Sequence, residues 1–523
     1  MTTVAIPGGY WELEASENPA PISPMAGSFY LDALTAGVRH LCSELGLLLD
    51  TAQWREIGGW VYLQSVPFVA DEAAIGERLG RCVEAVESDL TDRYLDRWDQ
   101  EWRPWLVRRA AELDAVDRGA CDDKELAAHL DEVVAFVFAA TDVHCLLHGP
   151  NATMLGELVA VCTQLLNWSE AQALDLVSGT STASTEPAAR LAELAALGGD
   201  ADFDVAFDAF RAEFGYRATR YEVIEPSFAE QPELLLRMIR DQRQAGFDPA
   251  ESARRADERR AQARAAARAE LAERHPDQRA RFERVLDRAT RFYPVREDNE
   301  VWTQTVPLGL ARIALLAVGD RLVSTGVLDE RDDVFLLQLD EARQALRTGE
   351  RAQRVVATRR LERERAFAAS VPASYGTAPP PPDFSALPEA VAGVHLAIGW
   401  VIDRIVAPAA TALRQRGDVL EGLPGSPGRY TGPVRVVRTA SDLGRLQAGD
   451  VMVCPAVAPS WSIAFGAIGA VVADTGGVLS HLSIIAREFG IPAVVGTGNA
   501  AALLVDGQRV TVDGAAGTVT VHP

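Results

Sequence analysis

Two patterns of apolar spacing divide the chain. From about residue 28 to residue 370, apolar positions recur at intervals of three and four among Ala, Leu, Arg and Glu, the period of an amphipathic helix. Leu308, Ile313, Leu316 and Val323 show it between Thr305 and Val323, while the charged, alanine-rich stretch 251–288 suits long solvated helices. This part is predicted to be mostly α. After Gly428 the pattern changes to short β-branched runs bounded by Gly, Pro or Asp, at 434–437, 451–454, 470–473, 493–495, 510–512 and 519–521. A β-rich domain with a few helices is expected there.

Prolines mark the division. Pro372 and the run Pro379-Pro-Pro-Pro382 remove amide donors and fix φ, which stops a helix and favours an extended spacer. One further helix is predicted over 388–416, before a second break at Gly422-Leu-Pro-Gly-Ser-Pro-Gly428. The expected organisation is multidomain: a mostly α-helical N-terminal body over 1–371 with room for two subdomains, a proline-rich linker and connecting helix over 372–421, and a C-terminal α/β, β-rich domain over 422–523.

Composition narrows the chemistry. At 523 residues the chain can hold about three domains, and 48% hydrophobic with 24% charged residues is the balance of a folded globular protein. The net charge of −23 would repel a phosphate backbone or an anionic membrane, so neither nucleic acid nor a membrane is an expected partner. From Gly422 onward six basic residues meet six acidic ones, so the helical body carries the excess acidity. Of the 51 basic residues only Lys124 is a lysine, which leaves no Walker phosphate loop, no evident Schiff-base lysine and no lysines for an ATP-grasp nucleotide site. The six cysteines are scattered without a CxxC pair, which points to reduced, buried thiols. Residues 1–14 lack the charged and apolar regions of a leader, and no apolar run reaches the roughly 18 residues of a membrane span, so a cytoplasmic location is expected.

The segment that carries chemistry is Asp474-Thr-Gly-Gly-Val-Leu-Ser-His-Leu-Ser-Ile-Ile-Ala-Arg-Glu-Phe-Gly-Ile-Pro-Ala-Val-Val-Gly496. It reads as a strand end, a Gly476-Gly477 turn, a helix over 480–489 stopped by Gly490, and another strand. His481 then falls in the first helical turn, where unpaired amides and the positive end of the macrodipole favour an anion. An imidazole beside a glycine pair that admits another molecule suits uptake of a phosphoryl group; a helix-capping histidine without chemistry is the alternative. Ser480 is placed to cap the helix or to hydrogen-bond the phosphate. Arg487, six residues on, is turned about 240° away around a helix, which suits a structural ion pair or a docking contact better than the same phosphate.

The motif as a whole resembles the swivelling phosphohistidine domain of the phosphoenolpyruvate-utilising enzymes, the group that includes pyruvate phosphate dikinase, phosphoenolpyruvate synthase and rifampicin phosphotransferase. The resemblance extends over about 100 residues, through Gly425-Ser-Pro-Gly428 and Gly432, Ala458-Pro-Ser-Trp461 with Phe465, and Asp506-Gly-Gln-Arg-Val-Thr-Val-Asp-Gly514 with Gly517. It implies that His481 is phosphorylated, with Gly476 and Gly477 in the phosphate loop. Leu479 stands where relatives often have Thr, leaving Ser480 as the nearest hydroxyl. Only 42 residues follow His481, too few for the barrel that uses phosphoenolpyruvate.

The body upstream resembles, more weakly, the helical acceptor-binding domain of the rifampicin phosphotransferase type, through Trp11-Glu-Leu, Asn18-Pro19, Ile22-Ser-Pro24, Arg296-Glu-Asp-Asn-Glu300 and Gly326-Val-Leu-Asp-Glu-Arg-Asp-Asp-Val-Phe335. The implied function is a phosphotransferase component whose His481 carries a phosphoryl group from ATP, bound with Mg2+ on a separate ATP-grasp-type protein, to a small organic acceptor. A phosphorylation-driven condensation or dehydration in small-molecule biosynthesis is the alternative, and a non-catalytic regulator that keeps the fold is a second. No cofactor is expected on this chain itself. His144 and His148, an i, i+4 pair with Asp142 on one predicted helix, read either as a base for an acceptor hydroxyl or as buried, capping histidines. No third metal ligand is evident beside them, so no metal site is expected. Arg296, Glu297 and Glu300 read equally as polar acceptor-binding lining or as a solvated helix end. Trp54, Trp60, Trp98, Trp102 and Trp105 suit core packing better than a pocket wall.

Overall fold

The computed structural model describes residues 6–197, 201–406, 415–457 and 459–522. It shows the expected mostly helical body and C-terminal β-rich region, grouped into two compact units that each draw on separate stretches of chain. One comprises 1–149, 220–226 and 299–395, the other 150–219, 227–298 and 396–523.

In the first unit, helices Tyr30–Glu44, Asp123–Leu146 and Val306–Ser324 pack together. Asp122 starts the second of these with a capping box, its carboxylate on the Glu125 amide and the Glu125 side chain on its own amide. A four-stranded antiparallel sheet accompanies the helices: β1 (Trp11–Leu13), β2 (Leu49–Ile57), β3 (Trp60–Pro67) and β4 (Ser374–Tyr375), in the order β2-β3-β1-β4. The hairpin interrupts the stretch 28–370 that is predicted to be mostly α. Gly58 and Gly59 both adopt positive φ, +63° and +89°, the two-residue turn that matches the twist of paired strands.

The second unit joins helices, among them Thr182–Leu197, Ala201–Phe214, Pro232–Ala245 and Pro249–Arg274, to a nine-stranded sheet. Its strands are β5 (Gln415–Arg416), β6 (Val419–Glu421), β7 (Leu423–Ser426), β8 (Arg429–Val436), β9 (Val451–Cys454), β10 (Ala470–Ala473), β11 (Ala493–Val495), β12 (Arg509–Asp513) and β13 (Thr518–Val521). The order is β5-β6-β13-β12-β8-β9-β10-β11-β7, with β8 to β11 parallel and the flanking pairs antiparallel. Alternation along β9 explains why this sheet lies between two cores. Val451 and Val453 pack with Val472, Val494 and Leu504 on one face. Met452 and Cys454 face Leu482, Ile485 and Phe489 of the helix that follows His481, together with Leu191, Phe210 and Leu235 of the helical segments. Each fully buried aliphatic side chain of this kind contributes roughly 1.5–3 kcal/mol.

Two readings of the linker region are corrected. The stretch 422–428 is no open break: β7 runs through it and pairs with β11, and a Cβ at Gly425 would sit 3.0 Å from the Ala493 carbonyl. Backbone pairing overrides the proline because Pro424 lies on an edge strand. The helix predicted over 388–416 spans Glu389–Val406, and Gln415–Arg416 forms a strand; 407–414 lie outside the described residues.

Candidate functional site

His481 is the first residue of helix His481–Phe489, after Ser480 in an extended N-cap conformation (φ −66°, ψ 154°) and before Gly490, whose φ of +66° ends the helix. The preceding loop is held from within. The hydroxyls of Ser480 and Ser483 each donate to the Gly477 carbonyl at 2.8 Å, so Ser480 occupies the cap position while its side chain braces the glycine turn. Gly476 has φ +93°, and a Cβ there would lie 2.9 Å from the Ser480 hydroxyl. At the end of β10, Asp474 accepts from the Thr497 hydroxyl and the Ala501 amide, both at 3.1 Å. Burial pushes its carboxyl up to about 6.

Helix Arg279–Glu300 supplies the facing groups. The Nδ1 of His481 lies 3.2 Å from Glu297 Oε1, and the other Glu297 oxygen accepts from the Ser184 hydroxyl at 3.0 Å. Arg296 Nη2 donates to the Leu479 carbonyl, two residues before the histidine. Arg296, Glu297 and Glu300 are all buried, which does not fit a solvated helix end. A carboxylate on Nδ1 selects the tautomer with the proton there and leaves Nε2 as the basic nitrogen. In the first helical turn that nitrogen belongs to a ring whose surroundings stabilise negative charge by about 0.3–1 kcal/mol.

The helix of His481 is anchored at its far end as well. Glu488 Oε1 accepts from the Gly179 amide at 2.8 Å, and burial raises its carboxyl to about 7. Trp461 is buried, with its indole donating to the Thr219 carbonyl at 2.8 Å, in keeping with a core role.

A second polar group lies in the first unit. His144 Nδ1 is 2.9 Å from Asn299 Oδ1, 3.2 Å from Thr303 Oγ1 and 3.8 Å from Glu300 Oε1. Tyr221 donates to Glu300 Oε2 at 2.8 Å and Tyr30 to Gln304 Oε1 at 2.7 Å. A π-helical turn at Val301–Thr305 follows Asn299 and Glu300 and carries Thr303 to His144. Pro307 offers no amide to the Thr303 carbonyl, a local cause for the widened turn. His148 lies beyond the end of helix Asp123–Leu146, and its Nδ1 is 3.1 Å from the His144 carbonyl. Asp142 turns instead to His40, at 2.8 Å, a residue that the sequence pattern did not mark. Thr303, Tyr30 and Tyr221 were also unmarked, because they come from segments far apart in the chain. Trp98 and Trp102 are core residues. Among the described residues no group of three or more His, Cys, Asp or Glu side chains is placed to hold a metal ion, and no helix is long and apolar enough to cross a membrane.

Two stretches of the chain match known families. Residues 446–517 match the mobile domain of the PEP-utilising enzymes, and residues 168–297 match the fourth domain of rifampicin phosphotransferase. An uncharacterized phosphotransferase of Bacillus subtilis, YvkC, is 31% identical over 313 residues, covering 60% of this chain and 36% of the relative. A rifampicin phosphotransferase of Streptomyces is 31% identical over 335 residues, covering 63% and 36%. Chondramide synthase cmdD of Chondromyces crocatus is 27% identical over 508 residues, covering 90% of this chain and 13% of the synthase. The chain therefore spans about a third of the length of the phosphotransferases it matches, and less of the synthase.

Proposed function

We propose that this chain is a phosphotransferase component whose His481 carries a phosphoryl group, a reading supported by the match of residues 446–517 to the mobile domain of the PEP-utilising enzymes. The observation that carries this reading is the pairing of His481 Nδ1 with Glu297 at the start of a helix. In the first half-reaction Nε2 attacks a phosphorus of ATP held with Mg2+ by a separate ATP-grasp-type protein. The donor phosphorus–oxygen bond breaks as the phosphorus–nitrogen bond forms, and the Glu297 carboxylate offsets the positive charge that develops on the ring. The domain at 422–523 then moves, by way of the proline-rich 372–421 segment, to a small organic acceptor in the helical body. There the acceptor oxygen takes the phosphorus, the phosphorus–nitrogen bond breaks, and His144, oriented by Asn299 and Glu300, takes the acceptor proton. Transfer to the histidine needs mainly positioning and charge stabilisation, which Arg296 beside the Leu479 carbonyl is placed to supply while 422–523 is docked.

The test is mass spectrometry of the intact chain after incubation with the donor protein and ATP. The expected result is a gain of one phosphoryl group, labile in acid and stable in base, that is lost in His481→Ala. The same gain in His481→Ala would overturn the reading.

A second reading keeps the carrier chemistry and uses the phosphorylated intermediate to drive a condensation or dehydration in small-molecule biosynthesis. The alignment of 90% of this chain with a protein named as a synthase favours it. Under it, the phosphoryl group leaves as inorganic phosphate and the isolated product contains no phosphorus.

A further inference from the structure

The second unit holds a cavity that the proposed chemistry does not use. It is lined by Asp175, Ser178, Arg259, Arg260, Ser426 and Arg487, among others. Helical segments supply one wall, and β7 with the far end of the His481 helix supplies the other. Arg487 is 2% exposed; its Nη1 donates to the Val478 carbonyl at 2.7 Å, while its Nε and Nη2 meet no acceptor. The hydroxyl of Ser426, a residue 1% exposed, also has no partner. Leaving such a donor unmade costs about 1–3 kcal/mol, more when it is charged.

The other two guanidinium groups are oriented by carbonyls, and Arg260 is also ion-paired with Asp257. Arg259 Nη2 donates to the Arg487 carbonyl at 3.0 Å, and Arg260 Nη1 to the Ser178 and Gly179 carbonyls at 2.8 Å. Asp257 accepts from the outer Nη2 of Arg260, Glu488 from the Gly179 amide, and Glu170 from the Trp400 indole. Asp175 attracts Arg487 and Arg259, yet burial is the larger effect on its carboxyl and pushes it upward.

We infer that this cavity binds a small tetrahedral oxyanion of the inorganic phosphate class, and that the bound anion latches the His481 helix onto the segments that carry Arg259 and Arg260. The inference rests on the proposed reading in one respect, that 422–523 leaves its docked position. Nε and Nη2 of one guanidinium are parallel donors that fit two oxygens of such an anion, Ser426 offers a third donor, and Arg259 and Arg260 bring further positive charge. Undocking separates Arg487 and Ser426 from Arg259 and Arg260, so the complete site exists only in the docked state. An anion that binds only that state favours it by a factor of 1 + [L]/Kd, about tenfold at ten times Kd.

The experiment is titration of the full chain with sodium phosphate at constant ionic strength, followed by calorimetry and by hydrogen exchange of the amides at 481–489. Saturable one-to-one binding is expected, with sulfate competing and acetate and chloride failing to compete, and with exchange slowed about tenfold at ten times Kd. Ser426→Ala and Arg259→Gln are each expected to weaken binding by about fivefold or more. Should one variant fail to fold, the other decides. Absence of saturable binding, or binding untouched by both variants, overturns the site; binding without slower exchange overturns the latch. Binding is read without any phosphoryl transfer, so a chain that binds phosphate but is never phosphorylated on His481 contradicts the proposed function and leaves the site standing.

Discussion

The surroundings of His481 and of His144 are built in opposite ways. His481 sits in one contiguous stretch where strand, glycine turn and helix follow each other within 474–496, and its brace, Ser480 and Ser483 on the Gly477 carbonyl, is local. His144 is surrounded by side chains from elsewhere in the chain, Asn299 and Glu300 at the end of helix Arg279–Glu300 and Thr303 on the π-helical turn, with Tyr221 joined through Glu300. A group that must present one atom to two successive partners benefits from a rigid local frame. A group that must recognise an acceptor benefits from side chains drawn from many elements, whose identities can vary without changing the fold. The comparison teaches where to expect shared chemistry and where to expect specificity.

The largest effect expected on this contrast is from His144→Ala. If His144 is the acceptor base, discharge of the phosphorylated chain slows by about 10²–10⁴-fold while uptake on His481 is unchanged, as read by single-turnover loss of the phosphoryl group. Equal loss in both half-reactions would show that the two histidines do not divide the work.

Glu297→Gln sharpens the other side. The amide still fills the space and can hydrogen-bond Nδ1, but it no longer offsets ring charge. Uptake is expected to fall by about tenfold to a hundredfold with discharge less affected, measured by the rate of phosphohistidine formation.

The smallest effect is on stability against pH. Burial raises Glu488 to about 7 and Asp474 to about 6. Each therefore binds its proton more tightly in the folded chain than in the unfolded one, so stability is greatest below the unfolded carboxyl range and declines as pH rises towards 6 to 7. The melting temperature is expected to fall by a few degrees between pH 5 and pH 8, and Glu488→Gln, which keeps an acceptor for the Gly179 amide, is expected to flatten part of that slope. An unchanged slope would mean that Glu488 is not held in that environment.

How much of this was legible in the sequence follows from the same contrast. The runs 451–454, 470–473 and 493–495 form strands with those bounds because fully buried parallel strands consist of little but Val, Ala, Met and Cys, and Gly490 ends the helix of His481 as its position indicated. The hairpin β2 to β3 escaped because Gln53, Arg55 and Glu56 gave it the composition of a helix, although Gly58-Gly59 carried the turn signal. β7 was hidden by its proline and glycine. No local pattern pairs Glu297 with a histidine 184 positions later. Likewise, Arg487 could be assigned away from the phosphate by helical geometry, but its unpaired donors are visible only in the packed structure.

The central claim is that His481 carries the phosphoryl group on one defined nitrogen, and phosphorus–nitrogen correlated NMR of the histidine-labelled, phosphorylated chain tests it most directly. With Glu297 on Nδ1, the expected result is a single phosphorus coupled to Nε2 of His481. Coupling to Nδ1, or phosphate on any other residue, would contradict the account.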